Sequence, residues 1–184
     1  HEHSDHAGGL AQLQRDTGAA VLARAAAVET LRRGAGDRSD PQFSQLQGFP
    51  PVANVRAIAD GQTVTLGDVA LVAHATPGHA PGSTSWTWRS CEGTRCLDIA
   101  YADSLSAISD DKYRYADHPE YVAAFSHSID AVASLPCDIL VTPHPSASDL
   151  FARFNGDSPL VDADGCRRYA ANARANLAER LAKE

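Results

Sequence analysis

The first six residues, His1-Glu2-His3-Ser4-Asp5-His6, set three imidazoles and a carboxylate in the pattern H-x-H-x-D-H. Imidazole nitrogens and carboxylate oxygens are ordinary zinc ligands. Packed this closely, they can fan around two metal positions if the chain turns sharply afterwards, which Gly8-Gly9 permits. A purification tag or a solvated polar end is the inert alternative, but a tag has no reason to place Asp at the fifth step, and partners appear later in the chain. His79 lies in Thr76-Pro77-Gly78-His79-Ala80-Pro81-Gly82-Ser83 and His144 in Val141-Thr142-Pro143-His144-Pro145, each just beyond a β-type run. Loops on strand ends commonly display ligands. One such histidine would usually be structural; two, added to a cluster of four ligands, point to metal.

Ser104 and Ser106, in Tyr101-Ala102-Asp103-Ser104-Leu105-Ser106, are spaced so that both hydroxyls share one side of an extended segment. Two serines in a polar turn are the plain alternative. Glu2 sits at a variable step of the motif and is expected to point away from the metals. His74, His118 and His127 read as surface, capping or structural residues. Trp86 and Trp88 read as core.

These residues need elements to aim them. Leu10 and Leu13 suggest a short helix that stops near Gly18, residues 19–22 a buried strand, and residues 25–33 a second helix closed by Gly34. Residues 35–51 are polar and aperiodic, a long loop of the kind that borders sites. Short β-type runs follow at 55–58, 63–66, 69–73, 84–88 and 97–101. Pro119 begins an amphipathic helix carrying Val122, Phe125, Ile129 and Val132, residues 138–142 form a strand candidate, and Asp164 stands where it would cap a final helix from Cys166 towards Leu181.

With 184 residues and 43% hydrophobic composition, the chain can bury one sizeable core, so a single domain over 1–184 is expected. A net charge of -7 leaves no broad basic face for nucleic acid. No apolar run reaches the roughly 18 residues of a membrane span. A ligand motif starting at residue 1 lacks the rigid element that normally aims such side chains, so a secretion signal or a structural lobe is expected upstream. The cysteines, at 91, 96, 137 and 166, are even in number and lack the C-x-x-C spacing of a zinc ribbon.

In order, H-x-H-x-D-H, T-P-G-H, Y-A-D-S-L-S-A and T-P-H-P, with Trp86-Thr87-Trp88 and Leu135-Pro136-Cys137-Asp138, resemble the subclass B3 enzymes of the metallo-β-lactamase superfamily. The resemblance implies an α/β fold, the αβ/βα sandwich, with its N-terminal part missing from this chain. It implies two Zn2+ per chain, the first on His1, His3 and His79 and the second on Asp5, His6 and His144, and a substrate carboxylate held by Ser104 and Ser106. The bridges Cys91–Cys96, closing a hairpin, and Cys137–Cys166, tying the neighbouring strand to the final helix, resemble bridges in some B3 enzymes; free buried cysteines are the alternative. A periplasmic or secreted location follows from the same resemblance. Two divalent ions roughly 3.5–4 Å apart can share a hydroxide and polarise the carbonyl it attacks, with Asp5 both ligand and orienting catalytic residue. The implied partner is a small β-lactam substrate, with no obligatory protein partner. Relatives that cleave thioesters or phosphodiesters bridge their metals with an Asp near Asp103. Another hydrolase on the same scaffold, a glyoxalase II-type thioesterase or a lactonase, is the nearest competing reading, and a silent zinc-binding fragment is a second, since a chain lacking part of its sandwich need not assemble the site.

Overall fold

A computed structural model describes residues 1–184. The H-x-H-x-D-H segment winds into one helical turn, α1 (Ser4–Ala7), and α2 (Leu10–Thr17) follows directly. β1 (Val21–Arg24) runs straight into α3 (Ala25–Arg33), and a loop containing only a short 3-10 turn (Phe43–Gln45) leads to β2 (Val55–Ile58). β3 (Thr63–Leu66), β4 (Val69–Ala75), β5 (Thr84–Glu92) and β6 (Arg95–Tyr101) form an antiparallel meander. The chain then passes through α4 (Pro119–Ala133), β7 (Ile139–Val141), α5 (Leu150–Asn155) and α6 (Gly165–Ala182).

β1 and β2 pair in parallel as one sheet; the other has the order β3-β4-β5-β6-β7, with β7 parallel to β6. The apolar stripe of α4 packs with α6 on one face of the five-stranded sheet, where Phe125, Ile129 and Val132 meet Ala100, Leu140, Ala173 and Leu177. A smaller cluster of Ala7, Ala11, Ala27, Val28, Leu31, Val52 and Val55 joins the first three helices to the two-stranded sheet. Burying these stripes is what holds the helices in place, at roughly 25 cal/mol for each Å² of apolar surface removed from water.

The structure redirects several expectations. Alternation along β5 sends Ser85 and Thr87 to the buried face and Trp86 and Trp88 to the other, where they are half-buried instead of forming core. There they line a cleft of about 530 Å³ with Val21, Val64 and Tyr101, contributed by both sheets, and with Leu31 of α3. Asp164 stands at the N-cap of α6 but makes no side-chain cap hydrogen bond, pairing with Arg167 in the first turn. The turn α1 and the helix α5 have too few residues to show a period in sequence. β5 and β6 run further than expected because Cys91 and Cys96 face each other across the ladder and are bonded. Cys137 and Cys166 form the second bridge, and no cysteine is free.

Candidate metal centre

His1, His3 and His79 converge, with ring centroids 4.7 Å (His1–His3), 4.7 Å (His1–His79) and 5.1 Å (His3–His79) apart. Asp5, His6 and His144 form a second group, with His6 and His144 ring centroids 4.9 Å apart and Asp5 Oδ2 lying 3.2 Å from His6 Nε2 and 3.7 Å from His144 Nε2. Within each group the possible ligand atoms lie within 4.8 Å of one another. The two groups adjoin, since the His1 and His6 ring centroids are 4.2 Å apart. All six side chains named from the sequence are thus brought together.

The local backbone explains the convergence. His3 is extended at the N-cap of α1, so His1 and His3 precede the turn while Asp5 and His6 ride on it. The His79 loop is closed by the Thr76 N–H donating to the Ser83 carbonyl at 3.0 Å. Gly78 has φ +149, and a Cβ there would lie 2.2 Å from Phe125 Cδ2, so only glycine lets this loop press onto α4. On the far side, a Cβ at Gly82 would lie 2.4 Å from Ala27 Cβ and 2.6 Å from Glu2 Oε2. His144 follows β7, and Thr142 Oγ1 donates to its carbonyl at 2.8 Å.

Hydrogen bonds to the other ring nitrogens select the atoms that face a metal. His1 Nδ1 lies 2.8 Å from Asp103 Oδ1, both side chains being buried, which leaves Nε2 as the ligand atom. His3 Nε2 donates to Asp40 Oδ2 at 2.8 Å, which leaves Nδ1. His79 Nδ1 donates to the Ser106 carbonyl at 3.0 Å and to its hydroxyl oxygen at 2.9 Å, so Nε2 is the acceptor nitrogen, which the Gln42 side-chain amide meets at a long 3.4 Å and a metal would take in its place. Burial pushes the His79 and His6 imidazoles below their ordinary pKa, overriding the Ser106 carbonyl beside His79 and the Asp5 carboxylate beside His6, so both keep a lone pair at neutral pH.

The residues fit a divalent ion. His1 Nε2 and His6 Nε2 are buried with no hydrogen-bond partner, an arrangement that is costly unless something electron-poor takes the lone pair. The donor sets, three imidazoles in one group and two imidazoles with a carboxylate in the other, are those of zinc sites. Exposure differs between the groups. His3 and His79 are buried, whereas the Asp5 and His144 side chains are 58% and 54% exposed.

Ser104 and Ser106 both line a cavity of about 370 Å³ that also contains His144. The Tyr169 hydroxyl clamps the segment from α6, donating to the Asp103 carbonyl at 3.1 Å and accepting the Leu105 N–H at 3.2 Å. Of four further site neighbours, the sequence singles out Glu2 only as a residue pointing away and Asp103 only as a place where relatives bridge their metals, and it gives no sign of Asp40 or Gln42. Glu2 does point away from the ligands, but it is buried, accepting the Gly82 N–H at 2.9 Å, and burial raises its pKa. Asp103 grips His1, Asp40 grips His3, and Gln42 Nε2 lies 3.4 Å from His79 Nε2. Asp40 and Gln42 belong to the long polar loop, where nothing but its length signalled proximity. His127 is exposed on α4, His118 stacks on Tyr113 at 4.3 Å, and His74 Nε2 bonds Thr87 Oγ1 at 2.8 Å; none joins the centre.

Two adjoining groups of possible metal ligands, displayed on loops of an α/β fold, mark the chain as a candidate metal-binding protein. The family model described as Metallo-beta-lactamase superfamily matches residues 1–144, and the chain belongs to that superfamily. Its similarity to solved structures is greater than family level. It is 50% identical to the metallo-β-lactamase SMB-1 bound to 2-mercaptoethanesulfonate, with a TM-score of 0.94 over 100% of this chain and 73% of that one. Identity is also 50%, with a TM-score of 0.94, to MIM-1 from Novosphingobium pentaromativorans, over 100% of this chain and 67% of that one. MEM-A1, a subclass B3 metallo-β-lactamase isolated from a soil metagenome library, is 43% identical with a TM-score of 0.95, over 100% of this chain and 72% of that one. The chain therefore has the metallo-β-lactamase α/β fold, as a partial sandwich, and is related to its hydrolases. It is disulfide-bonded, and no helix is long and apolar enough to cross a membrane.

Proposed function

We propose that the chain carries the reaction centre of a zinc-dependent β-lactamase, which hydrolyses the β-lactam amide bond of penicillins, cephalosporins or carbapenems. The observation that carries this reading is the adjacency of two three-ligand groups to a cavity lined by Ser104 and Ser106. His1, His3 and His79 would hold one zinc and Asp5, His6 and His144 the other. When bound, two such ions acidify a water and polarise the carbonyl under attack. The chain's own residues do the rest. Asp5 directs Oδ2 at His6 and His144, which leaves Oδ1 to accept a hydrogen bond from the attacking water and orient it. Ser106 Oγ accepts from His79, so its own proton is free to donate to a substrate carboxylate beside Ser104.

The similar SMB-1 structures supply chemical support. They hold 2-mercaptoethanesulfonate and mercaptoacetic acid. Each compound joins a metal-seeking thiol to an anionic end, a combination suited to zinc ligands beside anion-binding hydroxyls. A periplasmic or secreted location belongs to the same reading, because both bridges need an oxidising compartment.

The test is hydrolysis of a carbapenem and a cephalosporin by the zinc-loaded full-length protein, beside a glutathione thioester and an acyl-homoserine lactone. Ring opening that stops with a chelator and returns with zinc is expected. Faster turnover of the thioester or lactone would move the assignment to another hydrolase of the superfamily, and zinc binding without any turnover would leave a silent metal protein.

A further inference from the structure

Asp40 is 37 residues from His3 in sequence and buried, and both of its carboxylate oxygens are used. Oδ2 accepts from His3 Nε2 at 2.8 Å, while Oδ1 accepts the Gln42 N–H at 2.8 Å. The backbone around it forms successive turns, Asp40 N–H to the Asp37 carbonyl at 3.0 Å, Phe43 N–H to the Asp40 carbonyl at 3.0 Å and Gln45 N–H to the Gln42 carbonyl at 2.8 Å. Outside these turns the segment is anchored by Asp110, whose N–H donates to the Pro41 carbonyl at 2.8 Å and whose Oδ2 accepts the Ser44 N–H at 2.9 Å. Nothing else in the loop is regular secondary structure, so beyond the burial of Pro41 its position near the centre depends on these polar contacts.

We propose that Asp40 is a positioning residue that couples metal binding at His3 to the ordering of residues 37–45. The inference rests on the reading of His1, His3 and His79 as a zinc site. With Nε2–H committed to Asp40, His3 presents Nδ1, and its N–H becomes a stronger donor when Nδ1 carries a metal. The strengthened bond is made to a carboxylate whose other oxygen holds the Gln42 N–H, so the gain is shared with the turn. The reverse holds by linkage: a carboxylate already held by the turn keeps the His3 ring in its ligand orientation, and whatever orders the segment raises affinity for the metal. The second group has no such device, since neither His6 nor His144 hydrogen-bonds a buried carboxylate.

The experiment measures amide hydrogen exchange and zinc affinity, by competition with a chelating dye, on the full-length protein and its Asp40→Ala and Asp40→Asn variants. In the parent, zinc should slow exchange of the Gln42, Phe43 and Gln45 amides at least several-fold relative to metal-free protein. Asp40→Ala should weaken one of two zinc sites roughly 10- to 100-fold and abolish that zinc-dependent protection, leaving the other site unchanged. Asp40→Asn keeps one acceptor oxygen and should fall between, which covers the case in which the alanine variant fails to fold. A parent protein that binds no zinc would sink the metal-site reading itself. Two filled sites with exchange at 42–45 indifferent to zinc, or an Asp40→Asn protein with parental affinity and protection, would overturn the coupling alone.

Discussion

Each ligand at the centre is held by a different kind of neighbour, and the consequences of replacing it differ accordingly. Asp5 is exposed on α1, its carboxylate set against His6 and His144 and outside the core, so Asp5→Ala should leave the fold intact while removing one zinc of two and lowering kcat by orders of magnitude. His144→Ala should lose the same zinc. Metal analysis at saturating zinc checks both, and a parent protein with at most one tightly bound zinc would end the two-site assignment. Ser104 and Ser106 share a cavity with His144, Ser106 also meeting His79 directly, and a hydrogen bond from either to a substrate carboxylate remote from the scissile bond would contribute similarly to ground and transition states. Replacing both with Ala should therefore raise KM for β-lactams, at about 1.5–3 kcal/mol for each bond that water does not replace, with zinc content unchanged. Ser106 also accepts from His79, so a fall in zinc affinity in Ser106→Ala alone would show that its main task is to orient that ring. Steady-state kinetics beside metal analysis separates the two roles.

At the scale of elements, the centre depends on how closely loops approach helices. The His79 loop rests on α4 through Gly78, where an added methyl would collide with the Phe125 ring. Gly78→Ala should cost about 1–3 kcal/mol of stability, and more if the backbone cannot leave its positive φ, while also shifting His79. Chemical denaturation measures the first effect and zinc titration the second. The Cys137–Cys166 bridge, spanning 29 residues, ties β7 to α6, the two elements that present His144 and Tyr169. Its reduction should lower stability by roughly 2–4 kcal/mol, whereas opening Cys91–Cys96, which closes only a hairpin turn, should matter less. Four alkylatable thiols in unfolded, unreduced protein from an oxidising compartment would contradict both bridges.

At the scale of the whole molecule, the metal centre joins parts that share no continuous core. His1 to His6 belong with the smaller apolar cluster, whereas His79 and His144 are carried by the five-stranded sheet and the helices packed on it. Two zinc ions bound across that junction would stabilise only the assembled state, so a chelator should lower the melting temperature, with about 4 kcal/mol at stake for each ion when free zinc exceeds its dissociation constant a thousandfold. An unchanged melting curve would mean that the ligands do not bridge the two parts. The six candidate ligands were legible in the sequence alone, because H-x-H-x-D-H is a local pattern and the strand-end histidines sit in Pro- and Gly-bounded loops whose stiffness is a local property, and the fold brings their side chains together. The sequence likewise determined most helices and strands, since the burial of one face imposes a period of 3.6 or 2 on the residues themselves. Which ring nitrogen of His1, His3 and His79 is left for a metal was settled by tertiary contacts, with partners 102, 37 and 27 residues away at Asp103, Asp40 and Ser106. Alternation assigned Trp86 and Trp88 to one side of β5, but whether that side meets a helix or a cleft depends on what the rest of the chain lays over it. A contact made by closing a long loop leaves no period and no spacing in the sequence, and it is through such contacts that the ligands are aimed.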